Sequence, residues 1–541
     1  MGELDRPAPP LHRRREGGVP ERKRLRRAVP QPLADRADRG PDAHHRLCHL
    51  SERNRVRKLV LAGLLPGVLA GCTVGPDYRA PVGAVPPAFR EASSATIAQP
   101  VDRWWERYGD PALVALVDRA ISANGDVAIA EARIAQARAR ADEARGGQLP
   151  QLNGQGSTTV RRLSENGEQL ANIPTGLVEP DLDYTVYRAG FDASWELDLF
   201  GRNRRQVEAA EARLGSVAEA RNDTLVRVAG DVARAYADYR AAQRRIVIAN
   251  ETLAAARQTA DLTDRLARAG EEAQSEVQRV ESLAEESAAA LPPLVADAKA
   301  ALYRLDVLLG AQPGGAEALI AASPTSALRA PDVPVGLPSD LLRRRPDIRR
   351  AERELAAATA DTGVAVADLY PRFSLTSTLG LEALSIGDLF DSASRYGSLV
   401  PGFSLPIFDG GRRRAVVRRQ QALVDENLAS YNQTVVRALS DVETALLRYR
   451  QDRERAERLL SARTRLTRTL ELARLRYRAG EASLTDVLDV QRQVSALDDR
   501  LAQAEAVVII DAVSLDKALG GGWQVATVAQ ADAGAATRVQ R

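Results

Sequence analysis

Residues 412–479 read RRRAVVRRQQALVDENLASYNQTVVRALSDVETALLRYRQDRERAERLLSARTRLTRTLELARLRYRA and contain neither glycine nor proline. At 1.5 Å per residue, one helix over this stretch would be roughly 100 Å long, more than the width of an ordinary globular domain. Apolar residues recur in it every seven positions, as in the seam of a coiled coil. They are Leu428, Val435, Val442 and Tyr449, with Leu439 and Leu446 four positions after two of them. The stretch therefore predicts one very long helix that packs along a partner helix.

A tight turn and a second helix should follow. Gly480 stands directly after the stretch, where a left-handed helix cap favours glycine. Ser483 or Thr485 can then cap the next helix through a side-chain oxygen. The sequence therefore predicts an antiparallel helical hairpin with its tip at Gly480.

The chain is an internal duplication. Several segments recur at a spacing of about 210 residues, among them Gly201-Arg202 with Gly411-Arg412 and Ala269-Gly270-Glu271 with Ala479-Gly480-Glu481. Each copy reads as helix, strand pair, very long helix, tight turn and long helix. The first copy therefore has a second hairpin tip at Gly270, and Gly215 and Gly230 should weaken its long helix locally.

Between the helices, the apolar period changes from helical to two. Phe191, Ala193, Trp195 and Leu197 alternate with polar residues, as in a strand with one apolar and one wet face. In the second copy, a strand begins near Phe373 and returns over residues 400–407. About four strands per chain follow, over about 152–198 and about 372–408, with two open edges.

Four strands cannot enclose a lumen, so closure of this sheet requires other copies of the chain. A closed barrel with alternating faces is one of two structures that a membrane core permits, and its channel would be polar. The predicted fold class is therefore mostly α, with duplicated coiled-coil hairpins and a membrane β-barrel that several copies complete.

The rare residues exclude several kinds of site. All four histidines lie within the first fifty residues, and beyond them the single cysteine is Cys72. This removes zinc sites, Ser-His and Cys-His catalysis and an internal disulfide from consideration. No phosphate-binding G-x-x-x-x-G-K-[ST] motif is present. The net charge of +3 arises from a basic leader without apolar periodicity, so we expect no nucleic-acid partner. Without these metal-binding and phosphate-binding motifs, we also expect no cofactor.

A lipoprotein signal precedes Cys72. Basic residues at 53–58 lead into an apolar run over 59–69, which is too short to span a bilayer and ends in Leu69-Ala70-Gly71-Cys72. These four residues resemble a bacterial lipobox, in which the cysteine is acylated and becomes the first residue. Acyl chains would hold the mature chain on a membrane. A signal peptide should not begin fifty residues into a protein, so we expect residues 1–55 to lie upstream of a true start at Val56, with the signal peptide over 56–71.

Several short segments together resemble the outer-membrane efflux protein family, the TolC-like channels, and most closely its lipidated OprM/NodT-type branch. They lie at 69–72, 75–78, 196–202, 344–348, 369–371, 406–408, 486–489 and 517–523. The resemblance implies a homotrimer in the outer membrane, with a 12-stranded barrel on a periplasmic tunnel of helices. It also implies a periplasmic adaptor and an inner-membrane RND pump as partners. The implied function is a passive duct that exports small molecules such as drugs or toxic compounds, and not an enzyme.

Together these readings divide the chain into an N-terminal extension and two channel repeats. Behind the leader we expect a lipidated extension over 72–108, a first repeat over 109–315, a second repeat over 316–523 and a C-terminal tail over 524–541.

The resemblance further implies a periplasmic gate at the hairpin tips. Asp486 and Asp489 stand six and nine positions after the tip glycine Gly480, on one helix face, so a trimer would bring six carboxylates around one axis. Like charges in a narrow bore repel, raise one another's pKa and attract cations. Periodicity alone favours the alternative that both residues lie on a solvated helix face.

Other tip residues match the family's gate only in part. Tyr477 matches a position that helps to lock the closed state, whereas the family's basic residue two positions after the glycine is Ala482 here. Glu276 and Arg279 in the first copy are the equivalents of Asp486 and Asp489, and Arg279 can neutralise part of the acidic ring.

Three alternative functions remain open at this point. A duct for type I secretion or for metal efflux would have the same architecture. A structural coiled-coil scaffold would explain the helices but not the period-two strands or the lipobox. A hydrolase built on Asp486 and Asp489 would place two acids on a helix near a hairpin tip, with few aromatic side chains to hold a sugar.

The leader generates the first prediction. Mass spectrometry of the mature amino-terminal peptide from outer-membrane fractions should find an acylated peptide that begins at Cys72, and unboiled gels should show a heat-labile band near three times the monomer mass. A soluble monomer that begins at Met1 would contradict both the start-site argument and the membrane assignment.

Overall fold

The computed structural model describes residues 73–81, 85–91, 102–164, 181–324 and 328–524, which lie in the unit Gly71–Arg541. The leader, the signal peptide and Cys72 lie outside the described residues, as does the tail beyond Gln524. Among the described residues, no helix combines the length and apolarity needed to cross a membrane.

The described residues form ten α-helices and four strands in two similar halves. In the first half these are α1 (Pro111–Ala123), α2 (Gly125–Gly146), β1 (Gln151–Arg162), β2 (Asp183–Leu197), α3 (Arg202–Arg268), α4 (Gln274–Ala289), α5 (Leu291–Leu308) and α6 (Gly315–Ala322). In the second half they are α7 (Pro338–Arg344), α8 (Pro346–Ala367), β3 (Arg372–Ala383), β4 (Arg395–Ser404), α9 (Arg412–Arg478) and α10 (Leu484–Ala518). The 3-10 turn Trp104–Tyr108 precedes α1.

The two very long helices predicted from the sequence are confirmed. Both α3 and α9 have 67 residues, and their ends are 210 residues apart along the chain. Gly215 and Gly230 do not interrupt α3. At Gly230 a Cβ atom would lie 3.1 Å from the Cδ of Lys517 on α10, so this glycine allows a close approach between two helices.

The prediction of one long helix after each tip is right for the second copy and wrong for the first. In the second copy α10 runs unbroken for 35 residues. In the first copy the helix breaks at Ala290 between α4 and α5. Pro292 and Pro293 are the cause, because proline has no N–H for the helical ladder and is tolerated only in the first turn of a helix.

The coiled-coil seam of α9 is formed within one protomer, but only along part of the helix. Val435, Val442 and Leu446 are buried, whereas Leu428 is 38% exposed. The largest fully buried side chains lie at the 3-10 turn, where Trp104, Trp105 and Tyr108 join the same core as the middle of the long helices.

All four strands join one antiparallel sheet in the order β1-β2-β3-β4. The central pair, β2 and β3, joins the two halves of the chain, and Asp192 of β2 pairs with Thr378 of β3. The return strand β4 covers Arg395–Ser404 and not residues 400–407 as predicted. It ends at Ser404, opposite Arg372 at the start of β3.

Gly190 and Gly380 face each other where β2 meets β3. A Cβ atom at Gly190 would lie 2.6 Å from the carbonyl oxygen of Leu379 and 2.7 Å from the Cα of Gly380. The ring of Tyr396 on β4 covers Gly380, since a Cβ there would lie 3.0 Å from the Tyr396 Cε1. The two strands therefore approach each other more closely than any side chain would allow.

This crowding predicts the effect of adding one methyl group. Gly190→Ala should destabilise the protein by about 1–3 kcal/mol, because the strands must separate. The matched control is Gly156→Ala on β1, where the new Cβ would be 3.8 Å from the carbonyl oxygen of Arg188 and should change stability by less than about 0.5 kcal/mol. Thermal unfolding followed by circular dichroism measures both, and equal losses would contradict the assignment of close packing to Gly190.

Candidate functional site

One face of the sheet is apolar and uncovered in the protomer. The pairing register places even-numbered residues of β1 on the same side as odd-numbered residues of β2, β3 and β4. The large apolar side chains on this side include Leu152, Val160, Phe191, Trp195, Leu197, Phe373, Leu375, Leu379, Leu381, Leu399 and Phe403. Exposed fractions reach 65% at Leu379, 74% at Phe403 and 78% at Val160. A contiguous exposed surface of this kind marks an interaction with lipid or with another protein.

The opposite face of the sheet is mostly polar. Its side chains include Asn153, Gln155, Ser157, Thr159, Arg188, Asp192, Ser194, Ser374, Thr376, Thr378 and Glu382. Across the strands, Arg188 forms an ion pair with Glu382, and the Asn153 amide donates to the Asp192 carboxylate at 3.3 Å. The absent side chains of Gly190 and Gly380 would project on this same face. The sheet therefore has one apolar face and one mostly polar face.

Four helices continue from one end of the sheet. α2 leads into β1, α3 follows β2, α8 leads into β3 and α9 follows β4. Since the strands are antiparallel, all four junctions lie at the same end. α3 packs against both α2 and α8, and α8 packs against α9, so the helices keep the order of the strands. The two-faced sheet therefore continues as a single row of helices.

The amino-terminal segment begins at this junction between sheet and helices. The Val74 N–H donates to the Phe200 carbonyl at 3.2 Å, and a Cβ at Gly201 would lie 2.7 Å from the Thr73 Cγ2. Asp77 forms an ion pair with Arg205 at 2.5 Å. Thr73, the residue after Cys72, is thus fixed at the end of the sheet from which the helices leave.

The second hairpin tip turns at Gly480, as predicted. Gly480 has a φ of +74°, its N–H donates to the Tyr477 carbonyl at 2.9 Å, and the next N–H, of Glu481, donates to the Arg476 carbonyl at 2.9 Å. These bonds satisfy the last carbonyls of α9 in the manner of a Schellman motif. Tyr477 therefore helps to close the turn through its backbone, while its side chain is half-buried.

Asp486 belongs to the cap of α10. The Ser483 hydroxyl accepts the Asp486 N–H at 3.2 Å, and the Asp486 carboxylate accepts the Ser483 hydroxyl at 2.7 Å and the Ser483 N–H at 2.9 Å. This reciprocal capping box selects Ser483 from the two predicted caps. The hydrogen bond from the Ser483 side chain, followed by that from its backbone, lowers the pKa of Asp486. Asp489 is exposed and forms an ion pair with Arg492 at 3.2 Å.

The first hairpin tip has the same turn without the same cap. Gly270 has a φ of +81°, and its N–H donates to the Ala267 carbonyl at 3.0 Å. The residue equivalent to Ser483 is Ala273, which caps α4 through no side chain. Glu276, the equivalent of Asp486, instead forms an ion pair with Arg279 at 2.8 Å.

One side chain joins the two tips. The Arg279 guanidinium on α4 donates to the Thr485 hydroxyl on α10 at 2.9 Å. Sequence reasoning gave Arg279 a neutralising role and offered Thr485 as a cap, but it missed this bond because the two residues are far apart in sequence. It also missed Arg492, although its position three residues after Asp489 on one helix is a recognisable signal.

The capping box generates a prediction about the stability of the second tip. Ser483→Ala should speed hydrogen exchange of the first amides of α10 about fivefold, because one capping acceptor is lost. It should also raise the pKa of Asp486 towards its ordinary value. As the pH falls, Asp486 of the variant would then become protonated at a higher pH than in the wild type, and its stabilising effect on the cap would be lost earlier. Hydrogen-exchange mass spectrometry across pH 3–7 measures both effects. Ser461→Ala on the exposed face of α9 is the control, and equal exchange in the two variants would contradict the role of the cap.

Comparison with known proteins agrees with this geometry. A model of the family described as Outer membrane efflux protein matches residues 116–311 and 337–521. The chain is 33% identical over 466 residues to nodulation protein T of Rhizobium leguminosarum bv. trifolii, covering 84% of this chain and 96% of that protein. It is 32% identical over 470 residues to the solvent efflux pump outer membrane protein SrpC of Pseudomonas putida, covering 85% and 97%.

Two solved structures have the same fold. The outer-membrane channel OprN matches with a TM-score of 0.74 and 36% identity, over 84% of this chain and all of that chain. The open state of the Neisseria gonorrhoeae MtrE outer membrane channel matches with a TM-score of 0.73 and 27% identity, over 84% and 99%. The chain therefore shares the fold of these channels, and it belongs to the outer membrane efflux protein family.

Proposed function

We propose that this chain is the outer-membrane channel subunit of a tripartite efflux system of RND type. The observation that carries the proposal is the sheet, whose apolar face is exposed and whose opposite face is polar. An apolar outer surface matches a lipid core, and a polar inner surface matches a water-filled channel. The four helices that continue from one end of the sheet would extend the channel wall into the periplasm.

The functional unit in this proposal is a homotrimer. Among the described residues, β1 and β4 are the two edges of the sheet, and each leaves one side of its backbone unpaired. Within a lipid core every backbone polar group needs a partner, so an open edge must pair with another strand. Three copies of four strands would give a closed barrel of 12 strands.

In this proposal the duct is passive and does no chemistry. An inner-membrane pump would supply the energy, and a periplasmic adaptor would join the pump to the helical end of the channel. The relatives at 30% identity or more include a solvent efflux and a toluene efflux outer membrane protein. We therefore expect small organic molecules as cargo.

We also propose that acylated Cys72 anchors the mature chain and that residues 1–55 are dispensable for export. The position of Thr73 supports the anchor. Thr73 packs on Gly201, where the strands end and the helices begin. In the proposed orientation this junction faces the periplasmic leaflet, so acyl chains on the preceding residue would reach that leaflet directly.

The gate in this proposal is formed by the hairpin tips. Asp486 and Asp489 are exposed in the protomer, and three copies would gather six carboxylates. The ionised form of Asp486 is favoured by Ser483, because its hydroxyl and N–H both donate to the carboxylate. The Arg279–Thr485 bond would hold the two tips of one protomer together while the gate is closed.

Single-channel recording in a planar bilayer tests both the channel and its gate. The wild-type protein should form channels of low conductance, and Asp486→Ala with Asp489→Ala should raise the conductance severalfold, because the charges that bind cations at the narrow point are gone. The matched control is Asp425→Ala with Glu426→Ala, which removes two exposed acids of α9 far from the tip.

This experiment distinguishes a failure of the proposed function from a failure of the assigned gate. A wild-type protein that never forms channels would contradict the proposed function. Channels whose conductance is unchanged in the Asp486/Asp489 variant would contradict only the assigned gate.

A further inference from the structure

The first three turns of α9 carry a concentrated positive charge. Residues 412–424 contain five arginines and no acidic residue, and the first carboxylate of the helix is Asp425. Arg413 is bound by the Asp409 carboxylate and by the Asp368 carbonyl. The other four arginines are exposed, and their guanidinium groups form no ion pair with any described residue; they are Arg412, Arg414, Arg418 and Arg419.

These four arginines point away from the rest of the protomer. At 3.6 residues per turn, each lies about 100° or more around the helix from Arg413, whose side chain reaches the end of α8. Arg414 and Arg418 lie to one side of Arg413 around the helix, and Arg412 and Arg419 lie to the other. The charge therefore spreads over the exposed half of the helix at the end that follows the sheet, and we call these four residues the α9 arginine patch.

The first copy of the repeat does not have this patch. The equivalents of Arg412 and Arg414 are Arg202 and Arg204, which form ion pairs with Asp368 at 3.0 Å and with Asp198 at 3.4 Å. The equivalent of Arg418 is Glu208, an acid. The fold of the repeat therefore does not require unpaired arginines at this position. The excess positive charge is found only in the second copy.

Exposed apolar side chains lead directly into the patch. Phe403 is 74% exposed at the end of the apolar sheet face, and Ile407 and Phe408, between β4 and α9, are 92% and 91% exposed. Along the chain, the order is therefore apolar sheet face, exposed apolar pair, arginine patch. This is the order in which a membrane presents its acyl core, its interface and its headgroups to a protein that leaves it.

We propose that the α9 arginine patch binds the headgroups of anionic phospholipids in the leaflet from which the helices emerge, with Ile407 and Phe408 seated at the acyl boundary beneath it. Guanidinium groups bind phosphate oxygens in pairs, and basic residues next to a membrane are attracted to anionic lipid. The inference rests on the proposed function, because it requires the apolar sheet face to be embedded in lipid.

Native mass spectrometry of the detergent-purified protein tests the patch directly. The protein is titrated with phosphatidylglycerol and, as a zwitterionic reference, with phosphatidylcholine. Arg414→Gln with Arg418→Gln should weaken phosphatidylglycerol binding about 25-fold, at about fivefold per arginine, and leave phosphatidylcholine binding unchanged. The control is Arg437→Gln with Arg465→Gln, which removes the same charge from two exposed arginines farther along α9 and should leave both lipids unaffected.

Each other outcome overturns the inference. Equal binding of the two lipids by the wild type, or equal losses in the two double variants, would remove the headgroup site. The Arg414→Gln and Arg418→Gln double variant can instead lower the fraction of protein found as oligomer. If the oligomers that are still present bind phosphatidylglycerol as tightly as the wild type, the patch binds acidic side chains of a second copy and not lipid. A wild-type protein that forms no channels in a planar bilayer would contradict the proposed function itself, independently of lipid preference.

Discussion

The register of the four-stranded sheet is the constraint on which the other functional features depend. Side chains alternate along a strand with a period of two, so a slip of one residue would move every apolar side chain to the polar face. At the centre of the sheet, Gly190 and Gly380 leave no room for a side chain, and the Arg188–Glu382 ion pair lies on the same face. Together they fix β2 against β3, and so keep the apolar and polar faces continuous across strands that come from different copies of the repeat.

The two copies of the repeat have the same order of helices and strands, but equivalent residues make different contacts in them. Asp306 and Asp516 occupy the same position in the two copies, and both are buried. Asp306 accepts the N–H groups of Gly314 and Ala316 at 3.0 and 2.7 Å, which orders the start of α6. Asp516 instead binds Arg107 and the Tyr108 hydroxyl, and so holds the 3-10 turn before α1. In the second copy this aspartate therefore supplies one of the contacts that attach the amino-terminal part of the chain.

The features that sequence predicts well here are those set by neighbouring residues. A stretch without glycine or proline fixes α9, and Gly270 and Gly480 fix the tips, because helix continuation and left-handed caps are local properties. The helix break at Ala290 could also have been predicted from the sequence, because Pro292 and Pro293 follow it closely. Contacts between distant residues were not predictable. The Arg279–Thr485 bond spans 206 residues, and no periodic pattern in one sequence reports such a pair.

The amino-terminal segment has a consequence for the order of folding. Tyr78 donates to Glu352, and the N–H groups of Arg90 and Glu91 donate to Glu443, across separations of 274 to 353 residues. Loops of this length close late, because the entropy of closure opposes them until their docking sites exist. We therefore expect this amino-terminal segment to dock after the helices of the second copy have formed. If the second copy misfolds, these acceptors are not in place, and we expect the amino-terminal segment to stay undocked and open to proteases.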